Sequence, residues 1–211
     1  MKITNEDNME LMARYEDNYF DLAIVDPPYG IERFKKCSEK DLSYAKNVHA
    51  KRFQKMTLVN DTKPTMEYWN ELFRVSKNQI VWGANNFNLP QSEYFLVWDK
   101  KQAMPNFARC ELAFVSMGLK KPAKIFEYSI HKHNQIQKIH NTQKPISLYE
   151  FCLMTYAKEN NKILDTHLGS GSLAIACHNL GYELTACELD KEYYDASIKR
   201  IKNHISQQRL F

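Results

Sequence analysis

Lys162-Ile163-Leu164-Asp165-Thr166-His167-Leu168-Gly169-Ser170-Gly171-Ser172 is the stretch that decides the fold. A short apolar run ends in an acid, two glycines follow, and a helical pattern then runs from Ser172 to Leu180. Such a run reads as a buried parallel strand, Lys162 to Asp165, turning directly into a helix. A second unit comes next, strand Glu183 to Cys187 and a helix from Asp190 to about Asn203, and a helix from Pro145 to Lys158 precedes both. Consecutive βα units build a doubly wound α/β sheet with helices on both faces. Glu188 lies nineteen residues after Gly169. At that spacing an acid hydrogen-bonds ribose hydroxyls in nucleotide-binding units, so a nucleoside cofactor is expected. An NAD-dependent oxidoreductase would share these features.

Toward the N-terminus, Leu22-Ala23-Ile24-Val25 is another buried strand, stopped by Asp26-Pro27-Pro28-Tyr29-Gly30. Side chains at such a strand end project into the crevice that binds ligands in open α/β sheets. A carboxylate and a rigidly held proline carbonyl can each accept one N–H of an exocyclic base amine, freeing its lone pair for attack. Tyr29 offers a flat face for an extruded base, and Gly30 lets the chain turn away. Helices are expected over Met9 to Tyr15 and from Pro64 to about Lys77. Further strands are expected at Gln79 to Trp82, Tyr94 to Trp98, Glu111 to Ser116 and Lys124 to Tyr128, seven in all.

With 211 residues, 44% of them hydrophobic and 26% charged, the chain suits one domain, 1–211, with a proper core. No apolar run is long enough to span a bilayer and no signal-peptide pattern opens the chain, so a cytoplasmic location without membrane contact is expected. The five cysteines are scattered with no C-x-x-C pair, which points to buried reduced thiols and no metal.

The net charge of +4 is unevenly placed. Nine Lys/Arg face four acids between Ile31 and Lys63, and six lysines face Glu127 alone between Lys120 and Lys144, with His131, His133 and His140 nearby. The remainder is net −6, since 4 − 5 − 5 = −6. Segregation of this kind predicts a phosphate-facing surface on a neutral-to-acidic core.

These motifs together resemble the β-class of amino-methylating DNA methyltransferases, in which the catalytic motif precedes the cofactor motif. Asp26-Pro27-Pro28-Tyr29 looks like their catalytic tetrapeptide, and Asp165 to Ser172 looks like their glycine-rich cofactor loop. His140-Asn141-Thr142-Gln143-Lys144-Pro145 is similar to the segment that precedes that loop and helps hold the methionine end of the cofactor. Asp7 stands where the family has an acid against the cofactor adenine, with Glu6 in place of the usual glycine. Trp82-Gly83-Ala84-Asn85-Asn86-Phe87 resembles the segment after the next strand.

The resemblance implies a Rossmann-like, mostly parallel, seven-stranded methyltransferase sheet with a circularly permuted motif order. A basic loop insertion occupies about residues 31–63. It implies direct in-line transfer of a methyl group from S-adenosylmethionine to the N6 of a flipped adenine in double-stranded DNA. Adenine is expected over cytosine N4 because the tetrapeptide begins with Asp rather than Ser. Cytosine C5 chemistry lacks a suitably placed cysteine. RNA and protein-glutamine methyltransferases normally carry the opposite motif order. A non-catalytic DNA-binding module on the same fold is the remaining alternative.

The residues implied as catalytic are Asp26, Pro27, Pro28 and Tyr29. Those implied to bind cofactor are Asp7, Asp26, Thr142, Lys144, Asp165, His167, Gly169, Ser170, Gly171 and Glu188. Two departures stand out: His167 and Thr166 replace a phenylalanine and a proline of the family loop, and Ser129 to Ile139 leaves little room for the usual target-recognition region. DNA contact is therefore expected from the basic insertion, through Arg33, Lys35, Lys36, Lys46, Lys51, Arg52 and Lys55. The resemblance is compatible with a homodimer and with a cognate restriction endonuclease as partner.

Overall fold

The computed structural model describes residues 1–30, 62–103, 105, 107–134, 138–139 and 142–207. The chain runs β1 (Lys2–Asn5), α1 (Asn8–Met12), β2 (Leu22–Val25), α2 (Met66–Val75), β3 (Gln79–Trp82), β4 (Phe95–Asp99), β5 (Cys110–Val115) and β6 (Lys124–Glu127). It continues through α3 (Ile130–Asn134), α4 (Ile146–Tyr156), β7 (Lys162–Asp165), α5 (Ser172–Leu180), β8 (Glu183–Glu188) and α6 (Lys191–Ser206). Local chemistry sets several boundaries. The Asp190 carboxylate accepts the Glu192 and Tyr193 N–H groups at 2.8 and 3.0 Å and caps α6, while Asp7 accepts from Met9 N at 2.8 Å and caps α1.

Among the described residues the strands form one sheet in the order β1-β8-β7-β2-β3-β5-β4-β6. Every neighbouring pair is parallel except those made by β5, which runs against both β3 and β4. The sheet thus has eight strands where the sequence predicted seven. The extra one is β1, which pairs with β8 in the register Lys2↔Thr185 to Asn5↔Glu188. Its four residues, Lys-Ile-Thr-Asn, hold a single apolar side chain, so no hydrophobic periodicity announces it.

Strand alternation divides the core into two layers. Leu22, Ile24, Ile80, Trp82, Ile163 and Leu184 pack with α4, α5 and α6 on one face. Ala23, Val25, Val81, Leu164 and Cys187 pack with α1 and α2 on the other. Helices therefore cover both faces, as the βα reading requires. Cys152, Cys177 and Cys187 are buried as expected, whereas Cys110 is exposed on β5. None of the helices is long and apolar enough to cross a membrane among the described residues.

The winding reverses between β7 and β2. From β7 the chain passes through α5 to β8 on one side, and from β2 through α2 to β3 on the other. Leu22↔Ile163 and Ala23↔Leu164 are the paired positions at this junction. Reversal leaves an open crevice beyond the carboxyl ends of the two strands, the place where ligands bind in such sheets. Asp26 follows β2 and Asp165 ends β7, so the two sequence motifs meet there.

Asp165 is only 5% exposed and accepts the His167 N–H at 3.0 Å. Burial pushes its carboxyl up to about 8; the His167 N–H works against this, and the Asp26 and Glu188 charges add to it. The folded protein thus keeps a proton that the unfolded chain has lost, and stability through this group falls as pH rises from about 4 to about 8. Asp165→Asn cannot ionise but retains an acceptor for His167. Its melting temperature, taken relative to wild type, is expected to be higher at pH 8 than at pH 5 by on the order of 5 °C in calorimetric scans. A difference that does not change with pH would show an ordinary carboxyl.

Candidate active site

A cavity of about 630 Å³ opens at the switch point, beneath the carboxyl ends of β2, β7 and β8. The structure brings together on its wall Asp26, Pro27, Pro28 and Tyr29 from one motif with His167, Gly169 and Ser170 from the other, along with Asp7, Thr142, Lys144 and Glu188. Of the expected cofactor residues, Asp165 and Gly171 lie behind this surface. The basic residues from Arg33 to Lys55 fall outside the described residues. The positions flanking them do lie at the cavity: Tyr29 and Thr62 line it, and Gly30 packs against Lys63.

The glycine loop forms one half of the site. Gly169 N donates to Glu188 Oε2 at 2.9 Å and Asp190 N donates to Oε1 at 3.0 Å, which holds the carboxylate at the rim with lone pairs to spare. Burial raises the Glu188 carboxyl, with those N–H groups opposing. Gly171 adopts φ +73, and a Cβ there would come within 2.9 Å of Ile201 Cδ1, so its part is the turn and close packing on α6 rather than a cavity contact. Arg200 on α6 supports the loop from behind, donating to Ser170 O at 2.7 Å and Ser172 Oγ at 3.0 Å.

His167 and Thr166, the two departures from the family loop, are explained by a hydrogen-bonded chain. Asn8 Nδ2 donates to His167 Nε2 at 3.2 Å, His167 Nδ1 meets Thr166 Oγ1 at 2.9 Å, and Thr166 Oγ1 meets the Tyr68 hydroxyl at 2.7 Å. With Nε2 accepting, the ring proton sits on Nδ1. Burial holds the imidazole down to about 3, so His167 is neutral and acts as a polar wall joining α1, α2 and the loop. Glu6, standing in place of a glycine, lines the cavity and is paired with Arg14, whose two nitrogens each reach its carboxylate at 2.6 Å.

The other half centres on Asp26. Its Oδ1 accepts from the Tyr29 hydroxyl at 2.5 Å and its Oδ2 accepts from the Lys144 ammonium. Lys144, expected at the methionine end of a cofactor, lines the cavity and directs its charge at Asp26, and it also donates to Tyr29 Oη at 3.1 Å. Burial opposes that charge, but Asp26 and Glu111 outweigh it and raise the lysine above its ordinary value. Two anchors hold the Lys144 backbone: Ser172 Oγ donates to its carbonyl at 2.8 Å, and His133 Nε2 lies 2.6 Å from the adjoining Gln143 carbonyl.

Sequence reading missed three supporting residues. Gly83, at φ +70, lies under the Tyr29 ring; a Cβ there would fall 2.2 Å from Tyr29 Cε1. Phe87 meets the same ring edge-on at 6.0 Å, which gives the Trp82 to Phe87 segment its role as the floor beneath Tyr29. Glu111 on β5 reaches Lys144 at 3.3 Å and Lys100 at 2.6 Å. The glycine inside the resembling segment was the one available signal. Glu111 carried none, because a lone acid in a strand reads as a solvent-facing position.

The second basic segment is divided by the fold. Lys120, Lys121 and Lys124 sit at the amino end of β6, opposite the cavity, whereas Lys132, Lys138 and Lys144 follow its carboxyl end. His133, counted with that charge, is 1% exposed and lies against Trp98, and burial lowers its pKa.

Comparison with known proteins agrees with this geometry. The profile of a family described as DNA methylase matches residues 46–199. The Type II methyltransferase M.HpaI of Haemophilus parainfluenzae is 23% identical over 94% of this chain and 73% of its own length. M.BglII of Bacillus subtilis is 24% identical over 100% and 71%. Among solved structures, an M1.HpyAVI–SAM complex superposes with a TM-score of 0.61 at 17% identity, covering 94% of this chain and 98% of the other. The cytosine-N4-specific PvuII DNA methyltransferase gives 0.57 at 12% identity, covering 96% and 90%. With the profile spanning most of its length and both motifs meeting in one crevice, the chain belongs to the DNA methylase family, whose members methylate adenine N6 or cytosine N4 with S-adenosylmethionine.

Proposed function

We propose that this chain transfers a methyl group from S-adenosylmethionine to adenine N6 in double-stranded DNA. The observation that carries the reading is the meeting of Asp26-Pro27-Pro28-Tyr29 with the glycine loop and Glu188 around one cavity. The residues present suit the cofactor. At about 630 Å³ the cavity falls within the range of small-molecule sites. Glu188 has lone pairs for ribose hydroxyls, and Asp7 and His167 supply polar wall on the nucleoside side. The cofactor contributes an activated methyl on a sulfonium.

Everything else is positioning by the protein. Asp26 accepts one N–H of the target amine and the Pro27 carbonyl accepts the other, so the nitrogen lone pair leaves conjugation and points at the methyl. Tyr29 stacks on the extruded base, its ring set by Gly83 and Phe87. Asp at the head of the tetrapeptide favours adenine. The likeness to the PvuII enzyme keeps cytosine N4 as the second reading, and product analysis separates them.

Tyr29 and Thr62, described residues that flank the basic segment in the chain, line the cavity, which supports assigning Arg33, Lys35, Lys36, Lys46, Lys51, Arg52 and Lys55 to phosphate contacts. A homodimer acting in the cytoplasm, offering two such segments to one duplex beside a cognate restriction endonuclease, completes this reading.

Four outcomes are expected. Asp26→Ala lowers labelled-methyl transfer to plasmid DNA by about 10³-fold, while the Kd for S-adenosylmethionine stays within about threefold. Nucleoside digestion of the wild-type product yields N6-methyladenine; N4-methylcytosine instead would transfer the assignment to cytosine. Gly83→Ala displaces the Tyr29 ring and lowers kcat about tenfold with cofactor affinity retained, measured by the same assay beside calorimetry. Replacing Lys35, Lys36, Lys51, Arg52 and Lys55 together by alanine weakens DNA binding and flattens its dependence on salt. An unchanged salt slope would place the phosphate contacts elsewhere.

A further inference from the structure

Four charged side chains alternate in sign across the back of the site: Lys100, Glu111, Lys144 and Asp26. Lys100 Nζ reaches Glu111 Oε1 at 2.6 Å and stands 5.2 Å from the Trp98 ring centroid, which fixes the outer end. Lys144, only 3% exposed, is the inner cation, shared among Asp26, the Tyr29 hydroxyl and Glu111. The rings of Trp82 and Tyr29 each lie 5.7 Å from its nitrogen and stabilise the cation without taking its protons.

This arrangement poses a difficulty for the proposed transfer. A carboxylate closed onto an ammonium is a weaker acceptor for an incoming N–H, yet an ammonium pulled out of its ion pair in a dry site is costly. Glu111 removes the conflict. Its Oε2 is buried with no hydrogen-bond partner among the described residues, and Lys144 stands 3.3 Å away. A shift of about half an ångström gives a charge-assisted bond of ordinary length.

We propose that Glu111 is a positioning residue for methyl transfer: it takes up the Lys144 ammonium as the target amine engages Asp26, leaving the Asp26 lone pairs to the substrate. The two carboxylates hold one cation between them, and the cation moves from one to the other without becoming unpaired. Glu111 touches neither substrate nor cofactor and acts only through Lys144. The inference rests on the functional reading above and assigns a residue that belongs to neither sequence motif.

The test is a double-mutant cycle on Glu111→Gln and Lys144→Met, scored by steady-state methyl transfer to DNA, with S-adenosylmethionine binding by calorimetry and melting curves for folding. Glu111→Gln is expected to lower kcat about tenfold with the cofactor KM and Kd within about twofold. In the Lys144→Met background the same change is expected to alter kcat by less than about twofold, because the residue it acts through has gone. Glu111→Asp, which keeps the charge with a shorter reach, falls between wild type and Glu111→Gln; this ordering decides the matter if the lysine variant does not fold. An unchanged kcat in Glu111→Gln, a loss that multiplies fully with Lys144→Met, or a Glu111→Asp enzyme no better than Glu111→Gln overturns the proposal. A wild-type protein that binds cofactor yet transfers nothing to DNA overturns the functional reading as well.

Discussion

The pairing of β2 with β7 is the constraint on which the site depends. Leu22 and Ile163 lie 141 positions apart in the chain, and their register places the residue after one strand beside the end of the other. Because the winding reverses at this pair, neither α2 nor α5 can cover the gap beyond it, and the backbone groups there are left to loops. The Asp-Pro-Pro-Tyr turn and the glycine loop fill those two positions. A shift of one residue in this register would exchange the two faces of β2, moving Leu22 and Ile24 away from α4, α5 and α6. Registry of the core and geometry of the site are thus the same fact.

A second dependency follows from the charges. Polar groups around the crevice are buried enough for each to need a partner, and the partners come from elements remote in sequence. Ser172 holds the Lys144 carbonyl, Arg200 holds Ser170 and Ser172, and Lys144 holds Asp26. The glycine loop and the Asp26 turn are in this way linked through one lysine. A cofactor that settles on the loop therefore bears on the backbone that aims this lysine.

The two βα units of the last third were legible because their strands are continuous apolar runs ended by Asp165 and Glu188, and their helices are bounded by Gly171, Gly181 and Asp190. Strand β2 was legible for the same reason, its end marked by two prolines. Strand β1 and helix α3 were not, since neither is long enough to show a period. Within the site, strand ends marked the Asp26 turn and the glycine loop, spacing marked Glu188, and resemblance marked Asp7, Thr142 and Lys144, but which of them line the cavity was not legible: Asp165 and Gly171 lie behind it, and Lys144 also turns to a carboxylate. Those outcomes depend on tertiary neighbours, Ile201 and Asp26 among them, that one-dimensional spacing does not contain. The basic residues beyond Gly30 lie outside the described residues, and their role stands on composition and on where their flanks emerge.

Strand order also governs how the chain reaches this state. Strands β1 and β2 precede β7 and β8 in the chain, yet among the described residues β1 pairs only with β8, and β2 has β7 on one side. Until β7 and β8 join, β1 lacks its partner strand and β2 keeps one open hydrogen-bonding edge. Contacts of such long sequence separation carry a high loop-closure cost and slow the search for the native arrangement. The crevice therefore cannot close before β7 and β8 have joined the sheet, because Asp165, the glycine loop and Glu188 arrive with them.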